Sequence, residues 1–286
     1  MKLDPSQAGQ HRQDLADALR TLRTATGLSG ERLARRANMS QSKVSRIENG
    51  KVLPSLADVE RILQALDVDR KTADQLLHLA RVANTEFRDI RASVRKGLHH
   101  LQGEIRSLEA GASRVRFFLP SMITGLLQTP EYMRAAMSTP VMPMSGDVSR
   151  AMAIKLERQS VLHDPSKRFH FLLTESALRW KLCPPSVMAL QADRLASLSR
   201  LPTISLGILP LTASVADGPL NGFTLYDDRL VTVETFTGDI VLRDPKDIGY
   251  YAELFDFFAG HAWHGDRARA FLAEVAGDFM QERDSL

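Results

Sequence analysis

Hydrophobic residues in the first third of the chain recur with the spacing of amphipathic helices. Leu15, Leu19 and Leu22 fall on one face of a helix, and Gly27 can end that helix in a left-handed conformation. Three serines each precede a segment of helical periodicity and can cap its first turn: Ser29, Ser40 and Ser55. The pattern predicts consecutive short helices that share one apolar core.

The fourth and fifth helices are expected after Pro54. Ser55 and Asp58 have the spacing of a capping box in which Asp replaces the usual Glu. A further helix is expected from Thr72 to Ala80, where apolar residues again recur at helical intervals. We therefore predict an all-α bundle of five short helices over residues 1–82.

The third helix of this bundle has an unusual outer face. Val44 and Ile47 can pack against the second helix, which turns the polar side chains outward. Such side chains can bond to base edges when a helix enters the major groove of double-stranded DNA. The residues expected to read bases are Gln41, Ser42, Ser45 and Arg46. The residues expected to contact phosphates are Ser29, Lys43, Asn49 and Lys51.

Residues 83–112 carry an amphipathic stripe, which we interpret as a connecting helix. Its apolar residues alternate in steps of three and four: Phe87, Ile90, Val94, Leu98, Leu101, Ile105 and Leu108. Two hypotheses stay open, namely packing on the chain's own C-terminal domain and self-association as a coiled coil. Gly97 and Gly103 disfavour a long coiled coil, since a glycine costs about 1 kcal/mol in a helix interior.

Short segments of β type alternate with helical segments after Ser113. Strands are expected at residues 114–119, 168–173, 204–209, 223–226, 230–234 and 240–242. Helices are expected at residues 130–138, 147–163, 175–181, 186–200, 246–260 and 266–283. Asp227 and Asp228 separate two alternating segments, which predicts a β-hairpin. We predict that an N-terminal all-α helix-turn-helix bundle is followed by an α+β domain at residues 113–286.

The net charge of +3 hides an uneven distribution along the chain. Residues 1–96 hold 18 Lys and Arg against 12 Asp and Glu, whereas residues 97–286 hold 19 against 22. A basic module beside a nearly neutral one favours a polyanionic partner for the first. The single Cys183 and the polar N-terminal segment lead us to expect a cytoplasmic protein with no signal peptide and no membrane partner.

Residues 27–55, GLSGERLARRANMSQSKVSRIENGKVLPS, resemble the helix-turn-helix of the XRE family, which includes the lambdoid phage repressors. The resemblance covers residues 10–80 and implies a lambda repressor-like fold. It also implies that the four outward residues of the third helix read bases. Two positions depart from the family pattern: Gly30 stands where a phosphate-binding Gln is frequent, and Asn38 replaces the usual turn glycine. The second change is tolerable, because Asn adopts left-handed backbone angles more readily than most residues.

The C-terminal part has a resemblance of its own. The segments LPSMITGLLQTPEYMRAAM, KLERQSVL, FHFLLTESALRW and ISLGILP are similar to the C-terminal domain of actinobacterial regulators of the WhiJ type. That resemblance implies a transcriptional regulator, which is often paired with a small protein from a neighbouring gene in an antitoxin-like arrangement. The family segment has Pro-Gly before LLQT, where this chain has Thr124-Gly125.

Several side chains in the C-terminal domain could bind a metal or transfer a proton, but the sequence does not show the further residues that a metal site or a catalytic site needs. His261 and His264 lie near Asp266, but a third metal ligand is not evident. His163-Asp164 and His170 with Glu175 suggest an acid/base set, yet no nucleophile elbow, phosphate loop or paired-carboxylate signature accompanies them. We predict that the protein is not an enzyme and has no catalytic residue, metal site or cofactor.

Glu175 has a structural interpretation instead. It can cap or anchor the helix that follows its strand. The side chains of Arg158 and Gln159 can pair with such a carboxylate, or can bind a ligand or partner.

These observations together predict a sequence-specific DNA-binding transcriptional regulator, acting as a repressor or autoregulator. One short helix reads only about four or five base pairs, so a homodimer on two half-sites is expected. The C-terminal domain is expected to dimerise, to sense a small-molecule effector, or to bind a partner. The alternative is an antitoxin-like factor whose main task is to bind a small partner protein. Either function would place the protein in the cytoplasm, associated with the nucleoid.

Overall fold

The computed structural model describes residues 8–89, 98–138 and 148–284. The chain divides into two compact units. The first contains Met1–Arg88 together with Ile240–Ile248, and the second contains Asp89–Asp239 together with Gly249–Leu286. The two units are described separately below.

Five helices form the first unit, as the hydrophobic pattern predicted. They are α1 (Ala8–Ala25), α2 (Gly30–Arg36), α3 (Gln41–Glu48), α4 (Leu56–Ala65) and α5 (Arg70–Asn84). Their apolar faces share one core, whose members include Leu15, Leu19, Leu33, Val44, Ile47, Val59, Ile62 and Leu76. The all-α bundle with a helix-turn-helix is confirmed.

The helix ends follow the local chemistry of the sequence. Ser29 and Ser40 cap α2 and α3, each accepting a hydrogen bond from the backbone N–H three residues on. Ser55 and Asp58 form the full capping box that the sequence predicted at α4. Asn38, in the turn between α2 and α3, has a φ of 51°, so it does take the left-handed conformation of the usual glycine.

Residues 83–112 differ from the single connecting helix that we expected. Helix α5 continues to Asn84, and a strand, β1 (Thr85–Asp89), follows it directly. A separate helix, α6, spans Leu98–Gly111. Ile90 and Val94 of the apolar stripe lie outside the described residues. The apolar stripe predicted a helix at Phe87 because its spacing to the following apolar residues is helical, but Phe87 lies in strand β1.

A segment from late in the chain completes the first unit. The Asp244 side chain is almost fully buried, and its carboxylate accepts a hydrogen bond of 2.8 Å from the backbone N–H of Leu56, at the start of α4. Arg243 donates from its guanidinium to Glu86 at 2.8 Å and from its backbone N–H to the Asn84 carbonyl. The sequence-based assignment of residues 113–286 to one domain did not foresee this return.

The second unit alternates strands with helices. Its strands are β2 (Arg114–Leu119), β3 (Arg168–Thr174), β4 (Ile204–Leu209), β5 (Phe223–Tyr226), β6 (Leu230–Thr235) and β8 (Trp263–His264). Strand β7 (Gly238–Leu242) begins in the second unit, and its residues from Ile240 onward are assigned to the first. After α6, its helices are α7 (Pro130–Met137), α8 (Val148–Arg158), α9 (Glu175–Arg179), α10 (Pro185–Leu198), α11 (Pro245–Gly260) and α12 (Gly265–Asp284). A short 3₁₀ helix, Gln159–His163, follows α8. The predicted α+β class is confirmed.

The sheet of the second unit is mixed. Strand β2 pairs in parallel with β3, and β3 pairs in parallel with β4. The helices between these strands make the parallel connections feasible. On the other side, β5 pairs antiparallel with β2, and β6 pairs antiparallel with β5. The β5–β6 turn at Asp227 and Asp228 is the predicted hairpin, and Asp227 has a φ of 50°.

Apolar residues cover both faces of the central strand β2. On one face, Phe117 stacks on Phe171 with ring centroids 4.9 Å apart, within the core that α10 and α12 complete. On the other face, Phe118 stacks on Phe258 of α11 at 4.7 Å. Burial on both faces explains why Phe117, Phe118 and Leu119 are consecutive apolar residues and do not alternate with polar ones.

Helix α6 packs inside the second unit through a buried ion pair. The Arg158 guanidinium bonds to the Glu109 carboxylate at 2.8 and 3.0 Å, and both side chains are buried. The Lys167 ammonium donates to three carbonyls at the end of α6: those of Glu109, Ala110 and Ala112. This arrangement favours the hypothesis that the stripe packs on its own domain.

Candidate nucleic-acid interface

Helix α3 is anchored by the two apolar residues that the sequence singled out. The Val44 and Ile47 side chains are 1% and 0% exposed, in the same core as Leu33 and Ala37 of α2. Burying two branched aliphatic side chains contributes about 3–6 kcal/mol relative to leaving them exposed. The orientation of α3 is therefore fixed by packing.

An ion pair adds a polar attachment behind the helix. The Arg23 guanidinium of α1 donates to both carboxylate oxygens of Glu48, at 2.7 and 2.9 Å, and to the Leu28 carbonyl at 2.9 Å. The hydrogen bond with Glu48 raises the pKa of Arg23, and the Glu48 charge adds to the effect, although burial opposes it. Bidentate geometry fixes the distance and rotation of α3 relative to α1.

The opposite side of α3 is open. The side chains of Gln41, Ser42 and Arg46 are exposed, and Ser45 is half-buried. All four predicted base-reading residues thus lie on one helix, and none of them lies in the core. Their role in reading bases stays a prediction.

The four predicted phosphate-contacting residues are placed less uniformly. Ser29 and Lys51 are exposed. Asn49 is exposed as well, but its side-chain amide donates to the Ser45 carbonyl at 2.7 Å. The Ser29 hydroxyl oxygen already accepts from the Arg32 backbone N–H. Lys51 is exposed, whereas the side chains of Ser29, Asn49 and Lys43 are engaged in hydrogen bonds or an ion pair.

Lys43 is held by an ion pair that the sequence did not indicate. Its ammonium lies 2.7 Å from the Asp58 carboxylate, which also accepts from Arg61 at 2.6 Å. Burial acts to raise the pKa of Asp58, but the hydrogen bond and charge of Lys43 and the bonds with Ser55 outweigh it, so the pKa lies below its ordinary value of 3.8. Lys43 links α3 to the start of α4, and its contact with phosphate stays a prediction.

A shallow depression of about 240 Å³ lies beside the exposed face of α3. Gln41, Ser45 and Asn49 line it together with Arg20 of α1 and Gly30 of α2. Arg20 is exposed and was missed, although the inward positions Leu15 and Leu19 already define an outer face of α1 that carries it. A Cβ atom added at Gly30 would meet no other atom within 4 Å, its chain neighbours and its own helix backbone aside.

The C-terminal side chains that suggested other chemistry are placed in structural roles. One oxygen of Glu175 bonds to Arg179 at 2.7 Å, and the other accepts from the backbone N–H of Leu211 at 3.0 Å. Glu175 does anchor its helix, but the expected partners do not reach it. Arg158 pairs with Glu109 instead, and Gln159 donates to two backbone carbonyls of residues 125 and 128. Glu109 lies on another helix, 49 residues away in sequence, so no local pattern indicates this pair.

No group of three or more metal-ligating side chains is found in the described parts of the chain. The ring nitrogens of His261 and His264 each bond to a backbone carbonyl of α11. Among the residues that the structure describes, none of the helices is long and apolar enough to cross a lipid bilayer.

Helix α2, the short turn at Asn38 and helix α3, which share one apolar core, form a helix-turn-helix. Residues 14–76 match the family described as a helix-turn-helix domain. Residues 102–274 match the family described as a domain of unknown function, DUF5753. Because this second match spans more than half of the chain, the protein belongs to the DUF5753 family. No curated protein matches the chain.

Solved structures resemble the chain only distantly. Nuc from Salmonella typhimurium, a phospholipase D family member, is 11% identical, with a TM-score of 0.32, over 57% of this chain and 90% of that chain. NucT from Helicobacter pylori is 14% identical, with a TM-score of 0.34, over 63% and 98%. TrmBL2, an archaeal chromatin protein, is 12% identical, with a TM-score of 0.32, over 72% and 66%. Likenesses of this size carry no argument about fold or function.

Proposed function

We propose that the protein is a sequence-specific DNA-binding transcriptional regulator of the XRE type, with a WhiJ-like C-terminal domain. The observation that carries the proposal is the outward polar face of α3, formed by Gln41, Ser42, Ser45 and Arg46, on a helix anchored by Val44 and Ile47. The helix-turn-helix family match supports DNA binding by the same region. Guanidinium and amide groups on such a face can bond in bidentate fashion to guanine and adenine.

The proposal includes a homodimer that binds two half-sites. The eight residues of α3 span only about 12 Å, which limits one copy to a few base pairs. Two copies on half-sites about 34–36 Å apart would supply the selectivity that one copy lacks. Repression or autoregulation would follow from occupancy of a promoter.

Selection of bound sites from random duplex DNA tests this function directly. We expect an inverted repeat to emerge, with half-site centres about one or two helical turns apart. A salt titration of the selected duplex should show a log–log slope that corresponds to several released counterions. Recovery of no sequence preference after repeated rounds would refute the sequence-specific regulator.

An antitoxin-like factor is the second candidate. Two large apolar side chains that follow α9 are exposed, Trp180 at 63% and Leu182 at 44%, and exposed apolar groups of this size are frequent at protein interfaces. The test is co-purification of the full chain with the product of the neighbouring gene. Failure of the two proteins to bind each other would remove this candidate.

We further propose that regulation involves no catalysis by this chain. Both oxygens of Glu175 are engaged, and His170 lies within strand β3 beside Arg116. Burial and the charges of Arg114 and Arg116 lower the pKa of His170, which favours its neutral form. DNA binding and regulation should be retained by His170→Ala and by Glu175→Gln, and loss of regulation in a stably folded variant would contradict the proposal.

A further inference from the structure

A pocket of about 220 Å³ lies in the second unit, between helix α11, strands β2 and β5, and the loop that precedes β5. It is called the aromatic pocket here, after the five rings that line it: Phe118, Phe223, Tyr250, Tyr251 and Phe258. Drug-sized ligands occupy roughly 300–1,000 Å³, so this pocket fits a smaller molecule.

The rings stand at different angles and surround the space. Tyr250 and Tyr251 are nearly perpendicular, with an interplanar angle of 79° and centroids 6.0 Å apart. Phe223 meets Tyr251 at 63°, and Phe118 stacks on Phe258 at 10°. The Phe118 and Phe258 rings are buried, whereas Tyr250, which is 61% exposed, leaves ring surface accessible to an occupant. The face of an aromatic ring attracts a cation that lies within about 6 Å of its centroid.

The charge of the lining is negative. Asp217 lies on the rim, and it is the single ionisable carboxylate or ammonium group among the described residues that line the pocket. Asn221 adds an amide, and Leu220 and Leu254 add aliphatic surface. A carboxylate combined with aromatic faces and no lining Lys or Arg complements a positively charged group with an apolar body.

The rim of the aromatic pocket is accessible to solvent, and its base is buried. The side chain of Leu220 is 93% exposed and that of Tyr250 is 61% exposed, whereas Phe118, Phe223 and Phe258 at the base are buried. An occupant would therefore remove apolar surface from water at the rim without displacing the core.

We propose that the aromatic pocket binds a small organic ammonium ion, with the ammonium group near Asp217 and the tyrosine rings and its apolar part on Leu220 and Leu254. The proposal goes beyond DNA binding and does not rest on it, because every lining residue belongs to the second unit. A protein that fails to bind DNA could still bind the cation, and the reverse also holds.

Calorimetric titration of the full chain separates charge from shape. The probes are choline and 3,3-dimethylbutan-1-ol, which have nearly the same shape and differ in the positive charge. Benzyltrimethylammonium serves as a larger cation, and benzoate as an anion. We expect saturable binding of both cations, with the neutral alcohol at least about fivefold weaker than choline, because cation–π attraction and the Asp217 charge act on the cation alone.

Two exposed substitutions test the assignment without threatening the fold. Asp217→Asn should weaken choline about threefold or more and leave the neutral alcohol unchanged. Tyr250→Leu retains apolar surface but removes a ring, so it should weaken both cations about threefold. Asp193→Asn, at an exposed position of α10 outside the pocket, is the matched control and should change nothing.

Several results would overturn the proposal. Choline and benzyltrimethylammonium could both fail to bind at tens of millimolar, the alcohol could bind as well as choline, or benzoate could bind best. Equal cation affinity in the wild type, Asp217→Asn and Tyr250→Leu would place any bound cation elsewhere. The proposal that the protein is a DNA-binding regulator is tested independently, by the selection of bound sites from random duplex DNA.

Discussion

Each unit contains an Arg–Glu ion pair that holds a helix in place, but the two pairs have opposite effects on the exposure of that helix. In the first, Arg23 and Glu48 pair at 2.7 Å and attach the inner side of α3 to α1, which leaves the outer side exposed. In the second, Arg158 and Glu109 pair at 2.8 Å and hold α6 against α8. The first pair leaves one face of α3 exposed to solvent, whereas the second packs α6 into the second unit.

The comparison shows where recognition can occur in each unit. The first unit offers an exposed polar face, formed by side chains of one short helix. The second offers a concave pocket, whose lining residues lie between positions 118 and 258. An exposed polar helix suits a groove of nucleic acid, and a concave aromatic pocket suits a small ligand.

The largest expected effect comes from breaking the pair in the second unit. Arg158→Met should lower the free energy of unfolding of that unit by about 3–5 kcal/mol, because it leaves the buried Glu109 carboxylate without its guanidinium. Both tryptophans of the chain, Trp180 and Trp263, lie in this unit, so urea titration followed by tryptophan fluorescence reports it.

A matched control joins the same two helices. Arg106 and Glu157 pair at 3.1 Å but are 57% and 60% exposed, so Arg106→Met should cost about 1 kcal/mol or less. Equal losses in Arg158→Met and Arg106→Met would show that burial of the first pair has no energetic weight.

Breaking the pair behind α3 should have a smaller effect. Glu48→Gln should destabilise α3 by about 2–3 kcal/mol, because Arg23, which is only 15% exposed, loses its counter-charge. Hydrogen exchange of the α3 amides, followed by mass spectrometry, measures the local opening. The control is Glu31→Gln, whose partner Arg35 is 78% exposed, and its exchange should stay near that of the wild type. Unchanged α3 protection in Glu48→Gln would contradict the anchoring role.

Acid should loosen the junction between α3 and α4 at the Asp58 carboxylate. Its folded-state pKa lies below the ordinary 3.8, so its stabilising contribution is present above that pH and is lost as the pH falls through the lower folded value. Asp58→Asn should cost about 1 kcal/mol at neutral pH and flatten the acid dependence of exchange in α4. The exposed Asp74→Asn serves as the control. Parallel acid profiles for the wild type and Asp58→Asn would contradict this assignment.

The sequence predicted the first unit better than it predicted the sites of the second. Serine caps, a left-handed Asn38 and the spacing of Val44 and Ile47 are local signals, and each determined a local feature. The return of Asp244 to the start of α4 and the meeting of Phe118 with Phe258 are long-range contacts that no periodicity encodes. The partner of Lys43 was missed for the same reason, since Asp58 lies on another helix.

The smallest expected effect concerns the open position beside α3. Gly30→Gln should strengthen binding to the selected DNA about threefold, because a Cβ at this position meets no other atom within 4 Å and an added amide can donate to a phosphate. Gly277→Gln, on α12 of the second unit, also places Gln where a Cβ meets no atom within 4 Å, and it should leave DNA affinity unchanged. The measurement is the dissociation constant at fixed salt. Equal affinities for Gly30→Gln and the wild type would remove Gly30 from the interface.

The central claim is that the exposed face of α3 reads base sequence. The most direct measurement compares Arg46→Ala with Lys51→Ala on the selected duplex and on a random duplex of equal length and salt. We predict that Arg46→Ala loses about 1–3 kcal/mol on the selected duplex and little on the random one, whereas Lys51→Ala weakens both alike. Equal losses on the two duplexes for Arg46→Ala would contradict base reading by this helix.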